Sequence, residues 1–111
     1  MSVLLCLCTC PDAATARSLA ERLVDERLCA CVNLLPGVLS IYHWQGQREQ
    51  AQETVLLIKT TTDAWPRLQQ RVQALHPYGV PELVALPVER GLPAYLDWVC
   101  AETAPSGGTS A

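Results

Sequence analysis

Continuous apolar runs alternate along the chain with segments in which apolar residues recur every three or four positions. Residues 3–9 are an unbroken apolar run, typical of a strand that is covered on both faces. Residues 13–28 carry apolar residues at the spacing of an amphipathic helix, and Asp12 stands where its N-cap is expected. The pattern therefore predicts a strand followed by a helix.

The middle of the chain predicts a hairpin of two strands. Residues 30–44 are too long for one flat strand, and Pro36-Gly37 predicts a bulge or bend within them. The polar residues 45–52 predict the hairpin turn, because they separate this strand from the apolar run at residues 53–61.

The last third of the chain predicts two more helices around a short strand. Asp63 is expected to cap a second helix, whose apolar positions end at Leu75. Residues 83–88 predict a fourth strand, and its Pro87 favours an edge or a bulge. A short third helix is expected over residues 92–100.

This order of elements predicts an α+β fold of the ferredoxin-like type, βαββαβ with an added C-terminal helix. The sheet is then antiparallel, with both main helices on one face. We expect a single domain over residues 1–103 and a disordered tail over residues 104–111, which is rich in small residues. The other sheet face needs a cover, so self-association is expected.

Composition narrows the function. Half of the 111 residues are hydrophobic and 17% are charged, which favours an apolar contact between subunits. The net charge of -3 and the scattered basic residues argue against nucleic acid as a partner. No apolar run is long enough to span a membrane, and no secretory leader is apparent. We expect a cytoplasmic protein whose six cysteines are thiols.

The densest group of polar side chains lies just after the second helix. His76, Tyr78 and Glu82 stand around two prolines, Pro77 and Pro81, which predict a rigid extended turn. Such a turn can hold functional groups, or it can simply end the helix while the tyrosine ring packs on it.

The cysteines of the first strand invite a metal site. Alternate residues of a strand lie about 6.6 Å apart, whereas two thiolates on one tetrahedral ion must sit about 3.8 Å apart. This spacing argues for small buried side chains at most of the cysteines, with Cys8 and Cys10 left open as ligands near the end of the strand. A Cys nucleophile with His76 as its base is the alternative, although no sequence signature of a cysteine enzyme surrounds any of the thiols.

Two further groups are candidates for a binding cleft. Lys59 is the only Lys of the chain and ends an apolar strand, where it can pair with Glu82 or Glu53 or meet an anionic ligand. Tyr42 and Trp44 share one face of their strand, which fits packing at an interface or a wall for a ligand.

An ordered set of residues between positions 7 and 98 resembles the CutA divalent-cation-tolerance proteins. The resemblance rests on Cys8-Thr9 with Pro11-Asp12, Ala30-Cys31-Val32-Asn33, Pro36-Gly37, Tyr42 with Trp44 and Gly46, Ile58-Lys59-Thr60, His76-Pro77-Tyr78, Val80-Pro81-Glu82, and Tyr95-Leu96 with Trp98. It implies a fold similar to the PII signalling proteins and a homotrimer. It also implies a copper site at the positions of Cys8, His76 and the residue before it, which is Leu75 here.

Together these observations predict a trimeric cytoplasmic binding or signalling protein for metal tolerance, with no catalytic residues. Copper or another divalent cation is expected to bind weakly at Cys8 and His76, since two ligands hold a metal poorly. The alternative is a small-ligand sensor or enzyme that uses a cleft between subunits. The residues expected in that cleft are Lys59, Tyr78, Glu82, Tyr42, Trp44 and Glu53.

Overall fold

A computed structural model describes residues 2–104, in which four strands form one antiparallel sheet of order β2-β3-β1-β4. The elements are β1 (Val3–Cys10), α1 (Ala13–Asp25), β2 (Cys31–Trp44), β3 (Gln47–Thr61), α2 (Trp65–Leu75), β4 (Leu83–Pro87) and α3 (Pro93–Thr103). The predicted α+β fold of the ferredoxin-like type, with its added helix, is confirmed. The predicted tail lies outside the described residues, apart from Ala104. Within the described part, no helix is long and apolar enough to span a membrane.

The main core lies between one face of the sheet and the helices α1 and α2. Leu23 of α1 and Leu68 of α2 are fully buried there against Leu56 and Ile58 of β3. The central strand β1 contributes three fully buried cysteines to this face, Cys6, Cys8 and Cys10. Thiols serve here as small apolar side chains, so the helices can approach the sheet closely.

The first helix is shorter than predicted, because it ends in a Schellman motif. Arg27 has a positive φ of 57°, and the N–H of Leu28 donates to the carbonyl of Leu23. Leu28 is buried by this reversal, so its apolar character extended the helical pattern past the true end at Asp25. No glycine marks the cap in the sequence, which is why the expected end at residue 28 was wrong.

The hairpin turn is also shorter than predicted. Gln45 and Gly46 both have positive φ, at 52° and 80°, as a two-residue turn between twisted strands requires. β3 therefore begins at Gln47, and the polar residues 47–52 belong to a strand, not to a loop. They are polar because this half of the hairpin projects beyond β1, whose pairing with β3 ends at Thr54. The bulge expected at Pro36-Gly37 is present between Leu35 and Val38.

The second and third helices start and end differently from the sequence predictions. Ala64 is the N-cap of α2 in place of Asp63, and the hydroxyl of Thr61 accepts a hydrogen bond from the N–H of Ala64 at 3.2 Å. α3 continues to Thr103, whose hydroxyl donates to the carbonyl of Val99 one turn earlier. Pro87 stands in the edge strand β4, as expected.

The second face of the sheet is only partly covered by α3, which packs on β1 and β3. Leu35, Val84 and Leu86 remain 47%, 49% and 48% exposed on this face. In the strand register, Leu35 pairs with Val55 and Leu86 pairs with Leu5. Val84 pairs with Leu7, which in turn pairs with Leu57. A contiguous apolar surface is thus available for a contact with another molecule.

Candidate functional site

Two thiols and an imidazole meet where β1 and α2 end. The ligand atoms of Cys8, Cys10 and His76 all lie within 4.8 Å of one another, and all three residues are buried. The Sγ of Cys10 is 3.8 Å from Nε2 of His76. The strand spacing argued against shared ions for most of the cysteines, and Cys8 and Cys10 were left open as ligands. Their side chains leave the same face of β1, so the sulfurs can lie closer together than the backbone positions.

His76 has hydrogen bonds at both ring nitrogens. Nε2 lies 2.7 Å from the carbonyl oxygen of Thr9, to which it must donate, and Nδ1 accepts from the N–H of Tyr78 at 3.1 Å. These partners fix the tautomer with the proton on Nε2. A metal ion can bind this imidazole only if one of the two hydrogen bonds is given up.

The two thiols of this cluster share a hydrogen bond that separates their pKa values. Donation from Cys8 to Cys10, followed by burial, raises the pKa of Cys8 far above its usual range. The same hydrogen bond lowers the pKa of Cys10, against the opposing effect of burial. The first proton is therefore lost from Cys10, which becomes the thiolate that a metal ion would meet first.

This donor set suits a soft or borderline metal ion. Thiolate and imidazole are the ligands preferred by copper and zinc, and a contraction of the cluster by about 1 Å would bring two sulfurs onto one ion. Leu75 packs against the core and offers no ligand atom. Cys10 supplies instead a third donor, which the sequence analysis had left open.

Across the turn from this cluster lies an open groove of about 790 Å³. The projecting part of the β2–β3 hairpin forms one wall, and the connection between α2 and β4 forms the other. Five of the six residues predicted for a cleft line it, namely Tyr42, Trp44, Glu53, Tyr78 and Glu82.

Hydrogen bonds order the carboxylates of the groove. The hydroxyl of Tyr78 donates to Oε2 of Glu53 at 2.7 Å, and the hydroxyl of Thr9 donates to Oε1 of Glu82 at 3.4 Å. Burial raises the pKa of Tyr78, and the bond to Glu53 raises it further, so the phenol stays protonated. Both hydroxyls act as donors to carboxylates, which leaves the groove acidic.

Lys59 does not belong to this group within one chain. The β-ladders pair it with Leu5 and Cys31, and its ammonium donates to Oδ1 of Asn33 and lies 3.7 Å from Sγ of Cys31. Glu53 lies six residues away on the same strand, about 20 Å at 3.3 Å per residue. The expected pairing of Lys59 with Glu53 or Glu82 is therefore wrong for a single chain.

Thr9 is a site residue that was not predicted from the sequence. Its carbonyl oxygen accepts a hydrogen bond from His76, and its hydroxyl donates one to Glu82. Thr9 therefore connects the buried cluster to the open groove. The signal was available: the alternation of a strand places the side chain of Thr9 opposite those of Cys8 and Cys10. Asn33 was also missed, because only the strand register shows that it meets Lys59.

Comparison with known proteins identifies the family and the fold of the chain. The family model described as CutA1 divalent ion tolerance protein matches residues 4–102. The chain belongs to this CutA1 family. It is 56% identical over 97 residues to the divalent-cation tolerance protein CutA of Thermus thermophilus, covering 87% of this chain and 94% of the relative. The mouse Protein CutA is 44% identical over 104 residues, which cover 92% of this chain and 59% of the mouse protein.

Solved CutA1 structures share the fold. The Thermus thermophilus protein superposes with a TM-score of 0.90 at 53% identity, covering 92% of this chain and 99% of that one. CutA1 from Oryza sativa gives a TM-score of 0.92 at 36% identity, covering 96% and 97% of the two chains. The resemblance inferred from the sequence is confirmed.

Proposed function

We propose that this CutA1-family chain serves divalent-cation tolerance by binding a metal ion weakly at Cys8, Cys10 and His76. Copper is the preferred ion, since two sulfurs and one imidazole nitrogen are soft donors. The protein acts in this proposal as a cytoplasmic homotrimer that binds and signals without catalysis. The observation that carries the proposal is the meeting of three ligand atoms within 4.8 Å.

Weak binding follows from what the cluster already contains. The ion must displace the proton shared by the two thiols and one of the two hydrogen bonds of His76. The free energy of those contacts is subtracted from the free energy of metal binding. Affinity should rise with pH as the thiols lose their protons, and it should fall in acid.

A titration with cobalt(II) tests this proposal, because thiolate-to-cobalt charge transfer produces absorption bands that oxygen ligands do not give. We expect these bands in the wild type and their loss in Cys10→Ser and Cys8→Ser. Cys100→Ser is the matched control, since that thiol lies on α3 outside the cluster. Bands that survive both cluster variants would contradict the proposal.

The trimer proposal is supported by the apolar face that α3 leaves open. Leu35 and Leu86 lie nearly half exposed there, which is unusual for large apolar side chains on a contiguous surface. Light scattering should give three times the 12.1 kDa chain mass. Leu86→Asp should shift the mass towards the monomer, whereas Val24→Asp, which changes a 39% exposed residue of α1 on the opposite side of the sheet, should not. A monomer mass for the wild type would contradict the proposal.

The cytoplasmic location and the absence of catalysis are supported by the state of the cysteines. All six cysteines lie in the described part of the chain, and each is a free thiol. A reducing compartment preserves such thiols. Cys8 and Cys10 are fully buried, so neither can attack a substrate from solvent. Cell fractionation that recovers the protein outside the cytoplasm would contradict this part of the proposal.

A further inference from the structure

We propose that the groove beside Tyr78 binds a small organic cation that carries N–H donors, an ammonium or a guanidinium group on an apolar body. This site is separate from the thiol and imidazole cluster and does not depend on metal binding there. Its lining places two carboxylates among aromatic rings in a concavity of about 790 Å³.

The carboxylates offer acceptors of defined direction. Glu53 uses Oε2 to accept from Tyr78, and Glu82 uses Oε1 to accept from Thr9. The second oxygen of each carboxylate has no hydrogen-bond partner among residues 2–104, so each can accept from a ligand. Because both hydroxyls donate to these carboxylates, the remaining oxygens are open to the N–H donors of a ligand.

The aromatic walls suit a cation with a hydrocarbon body. Tyr42 and Trp44 line the groove and are 44% and 59% exposed, so their ring faces are available for a cation–π contact. Ile41 and Val80 add apolar surface beside them. A quaternary ammonium could use the rings, but only an N–H donor also satisfies the free carboxylate oxygens.

Within one chain, the charge of the groove favours a cation over the anion that the sequence had suggested. None of the described residues that line it is basic, and Lys59 lies elsewhere beside Asn33. A hard metal ion is also a poor occupant, because such ions prefer six or more oxygen ligands without aromatic rings between them. Charge and shape together select an organic cation.

Calorimetry with benzylammonium chloride tests the proposal on the full-length protein, with EDTA present so that no metal contributes. We expect saturable binding of benzylammonium and none of benzyl alcohol, which has the same body without the charge. Glu53→Gln and Glu82→Gln should each weaken binding about fivefold, the range expected for a partly exposed ion pair. Glu89→Gln is the control, since it removes the same charge from an exposed position outside the groove and should leave the affinity unchanged.

Equal binding of benzyl alcohol, or no binding of benzylammonium, would overturn the proposal. Equal loss of affinity in Glu89→Gln would also overturn it, because the effect would then be one of net charge. A further outcome is that Glu53→Gln and Glu82→Gln change the subunit number in light scattering and leave the affinity for benzylammonium unchanged. That result would mean that a basic side chain of another copy occupies the groove, and it would overturn the proposal. Since EDTA is present throughout, none of these results bears on the metal proposal.

Discussion

The two sides of the His76-Pro77-Tyr78 turn differ in almost every physical property. On one side, His76 lies 7% exposed against two buried thiols, with both ring nitrogens hydrogen-bonded. On the other side, Tyr78 is 36% exposed and faces an open groove with carboxylates that retain free oxygens. Pro77 separates a buried side, called the dry side, whose donors are sulfur and imidazole nitrogen, from a solvent-exposed side, called the wet side, whose donors are oxygens.

This difference shows how one turn can hold two kinds of chemistry. Pro77 follows a residue in extended conformation, since His76 has φ −75° and ψ 139° after the helix ends. The chain then bends over residues 77–80, so the imidazole enters the core and reaches the carbonyl of Thr9, while the phenol, two residues on, reaches Glu53 in the groove. The rings still touch at 4.8 Å between centroids, and Thr9 holds both sides together.

The largest expected effect comes from removing the imidazole. His76→Ala leaves the carbonyl of Thr9 and the N–H of Tyr78 without partners in a buried place, so we expect a loss of about 3 kcal/mol in the free energy of unfolding. Urea denaturation of the variant and the wild type measures it. His43→Ala is the control, because His43 is exposed on the hairpin and should change stability by less than about 0.5 kcal/mol. Equal losses in both variants would mean that His76 is not part of a dry site.

An intermediate effect is expected at alkaline pH, and it tests how dry the core is on which the thiol cluster lies. Burial raises the pKa of Cys6 to about 11 and that of Cys29 to about 12, from 9.0 in each case. A raised pKa in the folded state stabilises the protein below the unfolded value and loses that contribution as the pH rises towards the folded value. Between pH 8 and pH 10 the loss should be about 1 kcal/mol for each thiol.

Urea denaturation over this pH range checks the prediction. Cys29→Ala should reduce the slope of stability against pH, whereas Ser18→Ala, which changes an exposed residue and removes no thiol, should leave it unchanged. A slope that is the same in all three proteins would show that water reaches the core thiols.

The smallest effect is expected on the wet side. Tyr78→Phe removes the hydrogen bond to Glu53, and because the side chain is partly exposed the loss in stability should be about 1 kcal/mol or less. In a double-mutant cycle, Tyr78→Phe and Glu53→Gln should cost less together than the sum of their separate costs. Tyr42→Phe combined with Glu53→Gln serves as the control, and the same coupling there would mean that the measured term is not this hydrogen bond.

The fold could be predicted from the sequence because each element follows from a local pattern. The apolar run of β1 and the helical periodicity of α1 were sufficient for their types and order. Their ends were harder to predict where a cap uses an unexpected residue, as Arg27 does at the end of α1. The polar strand 47–52 was predicted to be a turn because a strand exposed on both faces carries no hydrophobic alternation.

The candidate site was predictable in its residue types and less so in its pairings. The turn with His76 and Tyr78 could be identified from its residues, and the family resemblance placed Cys8 with His76. Which side chains contact each other depends on the strand register, and the register is set by the whole sheet. In this register Lys59 lies beside Asn33 and not beside Glu82. The approach of Cys8 to Cys10 depends on side-chain direction, which backbone spacing alone does not give.

X-ray absorption at the zinc edge, on protein at millimolar concentration where one equivalent of Zn²⁺ is mostly bound even at weak affinity, tests most directly that a metal ion binds the dry side of the turn. We expect two sulfur neighbours at about 2.3 Å and one imidazole nitrogen at about 2.0 Å, supplied by Cys8, Cys10 and His76. A first shell of oxygen and nitrogen alone, without sulfur, would contradict it and would move the ion towards the carboxylates of Glu53 and Glu82.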